Sequence, residues 1–425
     1  MRIFSFICFF LIFNCVNGRV EDEKDHATIS RFSDQVSPKQ DQRYLFYEVN
    51  FGEGFNLRRD VYMRIVAIVD HLRKQGNNYV LVLPPWGNLY HWRDRALRLP
   101  WKKLFDVESL NRFAPVIEFE DYLKDNNNVI DGVVYLQSYS EGWRNGKWEE
   151  RYEVRDCMDA GRYYEKINNQ WHGFFYSYDQ VSASNLTCLS FQGESKTFSD
   201  AVIRLFKDWR SIFVDRAEMV LHDSFGSKTY WMIRQSMRYS KNLYHFADEF
   251  IHSLDPDIDK FNIFFPENWQ EGREEKRVAV GGNYISAHLR RRDFLRSHFE
   301  HVPSIENAAK ELIRISKLLS LNKVFLCTDT NATEVEDLTR LLQTEGITVH
   351  QFLGSDDLSD AEVSIIDQII ASKARYFIGT HSSTFSYRIR EDREIMRFPV
   401  DTTFNDFCKE GHDCEQPAKW TIVYD

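Results

Sequence analysis

The 425 residues are 43% hydrophobic and 15% aromatic, more apolar surface than one core usually serves, so two domains are expected. With 54 Lys+Arg against 64 Asp+Glu, the net charge of -10 argues against an electrostatic hold on nucleic acid or an anionic membrane. Only 19 Gly and 10 Pro, set against 33 Phe, 20 Tyr and 10 Trp, exclude collagen-like, low-complexity and disordered chains.

Met1-Arg2, the apolar run Ile3–Val16 and Asn17-Gly18 form the basic start, apolar middle and small residue of a cleavable signal peptide, residues 1–18. A membrane anchor is the alternative, but spanning hydrocarbon takes about 20 apolar residues and this run is shorter. No later apolar run has that length, so a soluble lumenal protein is expected, with a polar segment over residues 19–43. Cys8 and Cys15 leave with the leader. Among the rest, Cys327 lies in the apolar run from Val324 and reads as buried packing, while the expected bridges are Cys157 with Cys188 and Cys408 with Cys414. Asn185-Leu-Thr and Asn331-Ala-Thr are N-glycosylation acceptors by pattern.

Tyr44–Val49 predicts a strand, and Val61, Ile65, Ile68, Val69 and Leu72 at helical spacing predict a helix over Leu57–Arg73. Strands follow at Tyr79–Leu83, Val129–Leu136 and Ile212–Val214, then one long helix from Lys228 to about Leu254. Asp255-Pro-Asp257-Ile-Asp259 ends it. Spaced carboxylates there suit a metal, but the proline at a helix break reads as a solvated linker, and no metal is expected. The domain boundary is placed here, giving residues 44–255 and 256–425. The second half alternates strand Tyr284–Leu289, helix Ser304–Leu319, strand Val324–Thr328, helix Thr333–Leu342 and strand Thr348–Phe352. Helix Ala361–Ser372, strand Arg375–Ile378 and a helix from near Ser383 complete it. This is α/β architecture with Rossmann-like units, and ligands should lie beyond the strands' carboxyl ends.

Three such ends carry suggestive residues. Gly52-Glu53-Gly54-Phe55-Asn56 lets backbone approach a ligand while presenting a carboxylate at a helix start; capping by Glu53 or Asn56 is the simpler account. His288-Leu289-Arg290 runs into Arg291 and Arg292, and arginine at a strand end suits a nucleotide diphosphate, although pairing with surface acids competes. Gly379-Thr-His-Ser-Ser383-Thr384-Phe385-Ser386 opens a helix that caps an anion or is itself capped by serine. Asp367 sits among Ile365, Ile366, Ile369 and Ile370, where a carboxylate suits a sugar or base edge, with capping or solvent exposure an equally common account. The G-x-G-x-x-G, Gly-x-Ser-x-Gly, His-Glu-x-x-His, Cys-x-x-Cys and P-loop patterns are absent, disfavouring dinucleotide cofactors and several hydrolytic chemistries.

Glu53-Gly-Phe-Asn56-Leu-Arg-Arg-Asp60-Val-Tyr, Val80-Leu-Val-Leu-Pro-Pro-Trp86-Gly, Leu89-Tyr-His-Trp92, His288-Leu-Arg290-Arg, Ser383-Thr-Phe-Ser386 and Glu415-Gln-Pro-x-x-Trp420 together resemble the protein O-fucosyltransferase family, in the branch acting on thrombospondin type 1 repeats. The resemblance implies a GT-B fold of two facing Rossmann-like domains with a cleft between them. It also implies inverting, metal-independent transfer from GDP-fucose to Ser or Thr of folded repeats in the endoplasmic reticulum, by a monomer without a cofactor. It places the base at Glu53, the diphosphate-gripping arginine at Arg290, and donor contacts at Gly52, Gly54, Phe55, Asn56, His288, Leu289, Asp367, Ser383, Thr384 and Phe385. Asp392 falls where the family usually has a glutamate needed for activity, and Gly52 replaces a usual proline. The family's bridges coincide with both pairings above. A sister enzyme acting on EGF-like repeats and a non-catalytic lumenal helper remain alternatives. Trp86, Tyr90 and Trp92 are expected mostly in the core.

Overall fold

In the computed structural model, which describes residues 41–411 except 90, 91, 95, 262, 268 and 272–275, the apolar runs Tyr79–Leu83 and Tyr284–Leu289 are strands buried on both faces, the state parallel sheets impose. The expected leader, Tyr90, Cys414 and the tail through Trp420 lie outside the described residues. The first half contains β1 (Arg43–Tyr47), α1 (Phe55–Lys74), β2 (Tyr79–Leu83), β3 (Val116–Glu118) and β4 (Val129–Gln137). It continues with β5 (Arg151–Val154), β6 (Glu165–Ile167), β7 (Gln170–His172), β8 (Ser182–Gln192), α2 (Ser195–Leu205) and β9 (Ser211–Asp215). These strands make a nine-stranded sheet, ordered β3-β2-β1-β9-β4-β8-β7-β6 with β5 also on β8. It is parallel from β3 to β8 and antiparallel beyond.

Two helices follow, α3 (Lys228–Ser236) and α4 (Lys241–Leu254), where sequence periodicity predicts one. Neither glycine nor proline breaks them. Instead, Arg238 O accepts from Asp106 N–H at 2.9 Å and Ser240 N–H donates to Leu104 O at 3.0 Å, so tertiary bonds replace the helical ones given up. The second sheet is wholly parallel, ordered β12-β11-β10-β13-β14. Its strands are β10 (Gly282–Leu289), β11 (Lys323–Thr328), β12 (Thr348–His350), β13 (Ala374–Gly379) and β14 (Asn405–Asp406). Between them lie α5 (Ile305–Leu319), α6 (Ala332–Gln343), α7 (Asp360–Ser372) and α8 (Thr384–Ile395). Asp255, expected in a solvated linker, is buried and accepts from Asn283 N–H at 2.6 Å, so it anchors the start of β10.

One apolar core runs from Leu45, Ile65 and Trp86 in the first half to Phe325, Ile365, Phe377 and Ile389 in the second. Separate cores fill the far face of each sheet, around Phe46, Phe119 and Phe213 and around Ile285, Leu312 and Leu326. Trp86 and Trp92 belong to the shared core, as expected of them. Asn185 and Asn331 are exposed; the Asn331 Oδ1 accepts from Glu334 N–H and caps α6.

Cys157 and Cys188 are bridged, which pins the antiparallel extension to β8, and Cys327 is a buried free thiol. Cys408 is also disulfide-bonded. Closing a loop over the Cys157–Cys188 separation of 31 residues contributes about 3–4 kcal/mol in the chain-entropy account. Cys157→Ser with Cys188→Ser should therefore lower the thermal midpoint, followed by circular dichroism, by about 5 °C or more.

Candidate functional site

Strands β10 and β13 are neighbours, so their carboxyl ends deliver His288, Arg290, Thr380 and Ser386 to one place. The Thr380 hydroxyl donates to His288 O at 2.8 Å and accepts from Arg290 N–H at 2.9 Å. Ser386 Oγ accepts from Thr380 N–H at 2.9 Å and lies 2.8 Å from His288 Nδ1. The imidazole stacks on Phe385 with centroids 4.3 Å apart. Burial, then the charges of Arg290 and Arg390, push the His288 pKa down to about 3, so the ring is neutral at physiological pH. Where the Ser386 hydroxyl donates to Nδ1, the neutral ring carries its proton on Nε2, which is then a donor.

The three consecutive arginines part ways. Arg291 is buried, paired with Glu334 at 2.8 Å and bonded to Pro303 O, which makes it architectural. Arg292 is exposed. Arg290 is partly exposed at the strand end, held by Asp293 at 2.6 Å and Asp329 at 3.0 Å. Two carboxylates fix its direction while its remaining N–H groups stay available for an anion. At the start of α8, Ser383 is the N-cap residue but makes no side-chain cap bond, so serine capping does not occupy the helix N-terminus. Leu289 and Ser383 are buried, leaving mainly backbone to offer a ligand.

Asp367 follows the apolar face of α7. Its Oδ1 is buried with no hydrogen-bond partner among the described residues, and burial holds its pKa well above the usual carboxylate range. A buried acceptor left unmade costs about 1–3 kcal/mol, so a ligand offering N–H donors would recover that cost.

In the first half, Glu53 N–H donates to Asn50 O at 2.9 Å, forming a tight turn before α1. Gly54 is the N-cap without a side-chain cap, so neither Glu53 nor Asn56 caps the helix. A Cβ added at Gly52 would meet nothing within 4 Å, so that glycine is not demanded by crowding. Glu53 is half-buried and no described side chain donates to its carboxylate. Burial and the charge of Glu218 raise its pKa above the ordinary glutamate value, against the pull of Arg58 and Arg64. Phe55 is buried against Trp86 at 4.9 Å, so its side chain is core.

Asn56 is the link between the halves. Its Oδ1 accepts from Gln368 Nε2 at 3.0 Å and Arg59 Nη1 at 3.2 Å, joining the turn with Glu53 to the helix with Asp367. Arg59 also donates to Gln368 Oε1 at 2.8 Å and the Tyr239 hydroxyl at 2.9 Å. Asp392, anticipated as catalytic, belongs to this buried network. It is 1% exposed, bonded to Arg234 at 2.6 Å and 3.2 Å from the Tyr239 hydroxyl. Arg234 also pairs with Glu391 at 2.5 Å, and Glu391 with Arg388 at 2.9 Å. So enclosed, Asp392 positions Arg234 and Tyr239. This network escaped the sequence reading because Arg59 and Arg234 look like ordinary polar positions on amphipathic helices.

Residues 44–396 match the family described as GDP-fucose protein O-fucosyltransferase. Curated relatives named GDP-fucose protein O-fucosyltransferase 2 include one from Caenorhabditis elegans, 46% identical over 95% of each chain. Another, from Homo sapiens, is 42% identical over 90% of each, and one from Drosophila melanogaster is 34% identical over 90% of this chain and 82% of its own. Among solved structures, POFUT1 in complex with GDP superposes with a TM-score of 0.57 at 14% identity, covering 88% of this chain and 100% of that one. That likeness concerns fold, and the fold is the anticipated GT-B arrangement.

Replacing Asp392 with alanine removes one of the two carboxylates paired with Arg234 and one partner of the Tyr239 hydroxyl, and stranding buried donors in this way costs about 1–3 kcal/mol. Asp392→Ala should lower soluble yield and the thermal midpoint, whereas Asp392→Glu, which keeps the charge, should recover most of both.

Proposed function

Because this chain belongs to the GDP-fucose protein O-fucosyltransferase family, and is thus a glycosyltransferase acting on protein, we propose that it fucosylates Ser or Thr of folded thrombospondin type 1 repeats with inversion at the anomeric carbon. The observation that carries this reading is the Asn56–Gln368 bond, which holds an unpaired carboxylate, Glu53, beside the helix bearing Asp367. The choice of repeat rests on the motif resemblance and on near full-length similarity to relatives carrying the fucosyltransferase 2 name.

In the proposed reaction the acceptor oxygen attacks the anomeric carbon from the face opposite the diphosphate, and the C–O bond to the β-phosphate breaks as the new one forms. Glu53 removes the hydroxyl proton; its raised pKa, caused by burial and Glu218, makes it a stronger base than an exposed glutamate. Arg290, the free N-terminus of α8 and Nε2–H of His288 take up charge on the departing GDP. The unpartnered Asp367 Oδ1 suits a guanine edge, which offers two adjacent N–H donors. No metal is assigned a role, since these groups carry the charge relief, and the protein is proposed to act as a monomer. Residence in the endoplasmic reticulum is supported by the anticipated leader and by the Cys157–Cys188 bridge, a bond favoured in oxidising compartments. No described helix is long and apolar enough to cross a membrane.

Glu53→Gln should cut transfer by about two to four orders of magnitude while GDP affinity, measured calorimetrically, is retained. Arg290→Ala should cost about two to three orders and weaken GDP as well. The base must be ionised, so the parental rate falls as pH drops through the raised Glu53 pKa. Its acid limb should lie above the free glutamate value of about 4.3 and disappear in Glu53→Gln. Near-parental transfer by either variant overturns the assignment, and a parental enzyme active on EGF-like but not thrombospondin repeats overturns the choice of acceptor. Chelator should leave the rate unchanged.

A further inference from the structure

Beyond the carboxyl ends of β1, β9 and β4 lies a cavity of about 380 Å³ that the transfer step leaves unused. The strand register brings its floor together: Tyr47 pairs with Val214 and Asp215 with Tyr135, so Glu48, Asp215 and Tyr135 form one row across the sheet. Asp159 completes the acidic lining, and Tyr163 and Phe174, both more than 40% exposed at 57% and 43%, form aromatic walls. Asn50 and Phe51 line the same cavity, and the turn from Asn50 O to Glu53 N–H leads directly to the base.

Two arginines also border this space, and both are engaged. Arg58 donates to Glu53 O at 3.2 Å and Gly87 O at 3.4 Å. Arg216 lies 3.9 Å from both Asp159 and Glu218, over the Tyr135 ring. Asp215 accepts from the Tyr164 hydroxyl at 2.7 Å and from Arg216 N–H at 2.8 Å. Glu48 receives only the neighbouring Val49 N–H, at 2.9 Å, among the described residues. Burial pushes Glu48 up to about 7 against the pull of Arg58 and the Val49 N–H, with Asp215 and Glu218 adding to the rise; burial pushes Asp215 up to about 6 against its contacts with Tyr164 and Arg216. Three carboxylates, Glu48, Asp159 and Asp215, thus line the cavity against two arginines that are already engaged, and an anion would meet carboxylates on the floor. A planar cation meets carboxylates below and ring faces beside it, the two surfaces a guanidinium pairs with best.

We propose that this aromatic-walled acidic cavity receives an arginine or lysine side chain of the acceptor protein, presented close to the hydroxyl that Glu53 deprotonates. The cavity then sets acceptor choice and registers the folded module while the second half holds the donor. The proposal rests on the acceptor being a folded protein module as read above. Free volume near the lower end of that usual for ligand sites, about 300–1,000 Å³, admits one long side chain with its waters but not a segment of backbone.

Its test is a kinetic double-mutant cycle on the full chain with GDP-fucose and a folded thrombospondin type 1 repeat. Each arginine and lysine of the repeat is replaced singly by glutamine. One of these changes should raise the acceptor KM about tenfold, as loss of a desolvated charge contact does, and Glu48→Gln should raise it similarly. Combining the two should add nothing, and calorimetric GDP affinity should not move. Tyr163→Ala, at an exposed wall position where folding is not at stake, should also raise acceptor KM with kcat little changed. Unaltered acceptor KM in both Glu48→Gln and Tyr163→Ala, or losses that simply add in the cycle, overturns the proposal. If the parent enzyme fucosylates no thrombospondin repeat, the acceptor reading fails instead. The same cycle on the EGF-like module it does fucosylate then decides the cavity.

Discussion

A buried amide, Gln368, holds the two halves in catalytic register. It accepts from Arg59 at 2.8 Å and donates to Asn56 at 3.0 Å, so the turn carrying Glu53 is bonded to the helix carrying Asp367. Arg59, Tyr239, Asp392 and Arg234 extend this contact into a chain of charge-assisted bonds sealed from water. Such a network is costly when incomplete, since every unmade bond strands a buried polar group. Its benefit is geometric. Apolar packing between α1 and α8 tolerates sliding, whereas bidentate and amide contacts accept one register, and the proposed reaction needs its base fixed to within about 0.5 Å.

The halves are also electrostatically distinct at their facing strand ends. The second offers donors: Arg290, a helix N-terminus without a side-chain cap, and a His288 kept neutral by burial and by adjacent arginine. The first gathers carboxylates at Glu48, Glu53, Asp215 and Glu218. Displacement of a diphosphate by a hydroxyl calls for this division, since negative charge leaves on one side while a proton is accepted on the other. The isolated acid on the donor side is Asp367, and its unpartnered oxygen lies in α7 rather than at a strand end.

Legibility in the sequence followed the physics of each segment. Tyr79–Leu83 and Val324–Thr328 stood out because strands buried on both faces are apolar throughout, and the structure places strands there. The helix predicted from Ser304 is capped by that serine, while those predicted from Thr333 and Ala361 begin one residue earlier, behind the caps Asn331 and Ser359. Strand β8 and the antiparallel extension beyond it were missed: Ser182-Ala-Ser-Asn-Leu-Thr alternates weakly and mixes polar residues into a paired strand. The break at Met237–Ser240 was missed because it is set by contacts with Leu104 and Asp106, more than a hundred positions earlier. Glu53 and Arg290 stand out by motif and Asp367 by its place among isoleucines, whereas the buried partners of Asp392, Arg234 and Tyr239, have no such signal. A buried ion-pair network carries no local signature, because each member satisfies another that is remote in sequence.

The most direct measurement is a crystal structure of the protein with GDP and a folded acceptor repeat. The account expects the guanine edge on Asp367 Oδ1, the β-phosphate against Arg290 and the start of α8, and the acceptor hydroxyl within about 3.2 Å of the Glu53 carboxylate. Nucleotide bound elsewhere, or Glu53 turned away from the acceptor while Asn56 and Gln368 remain bonded, would contradict it.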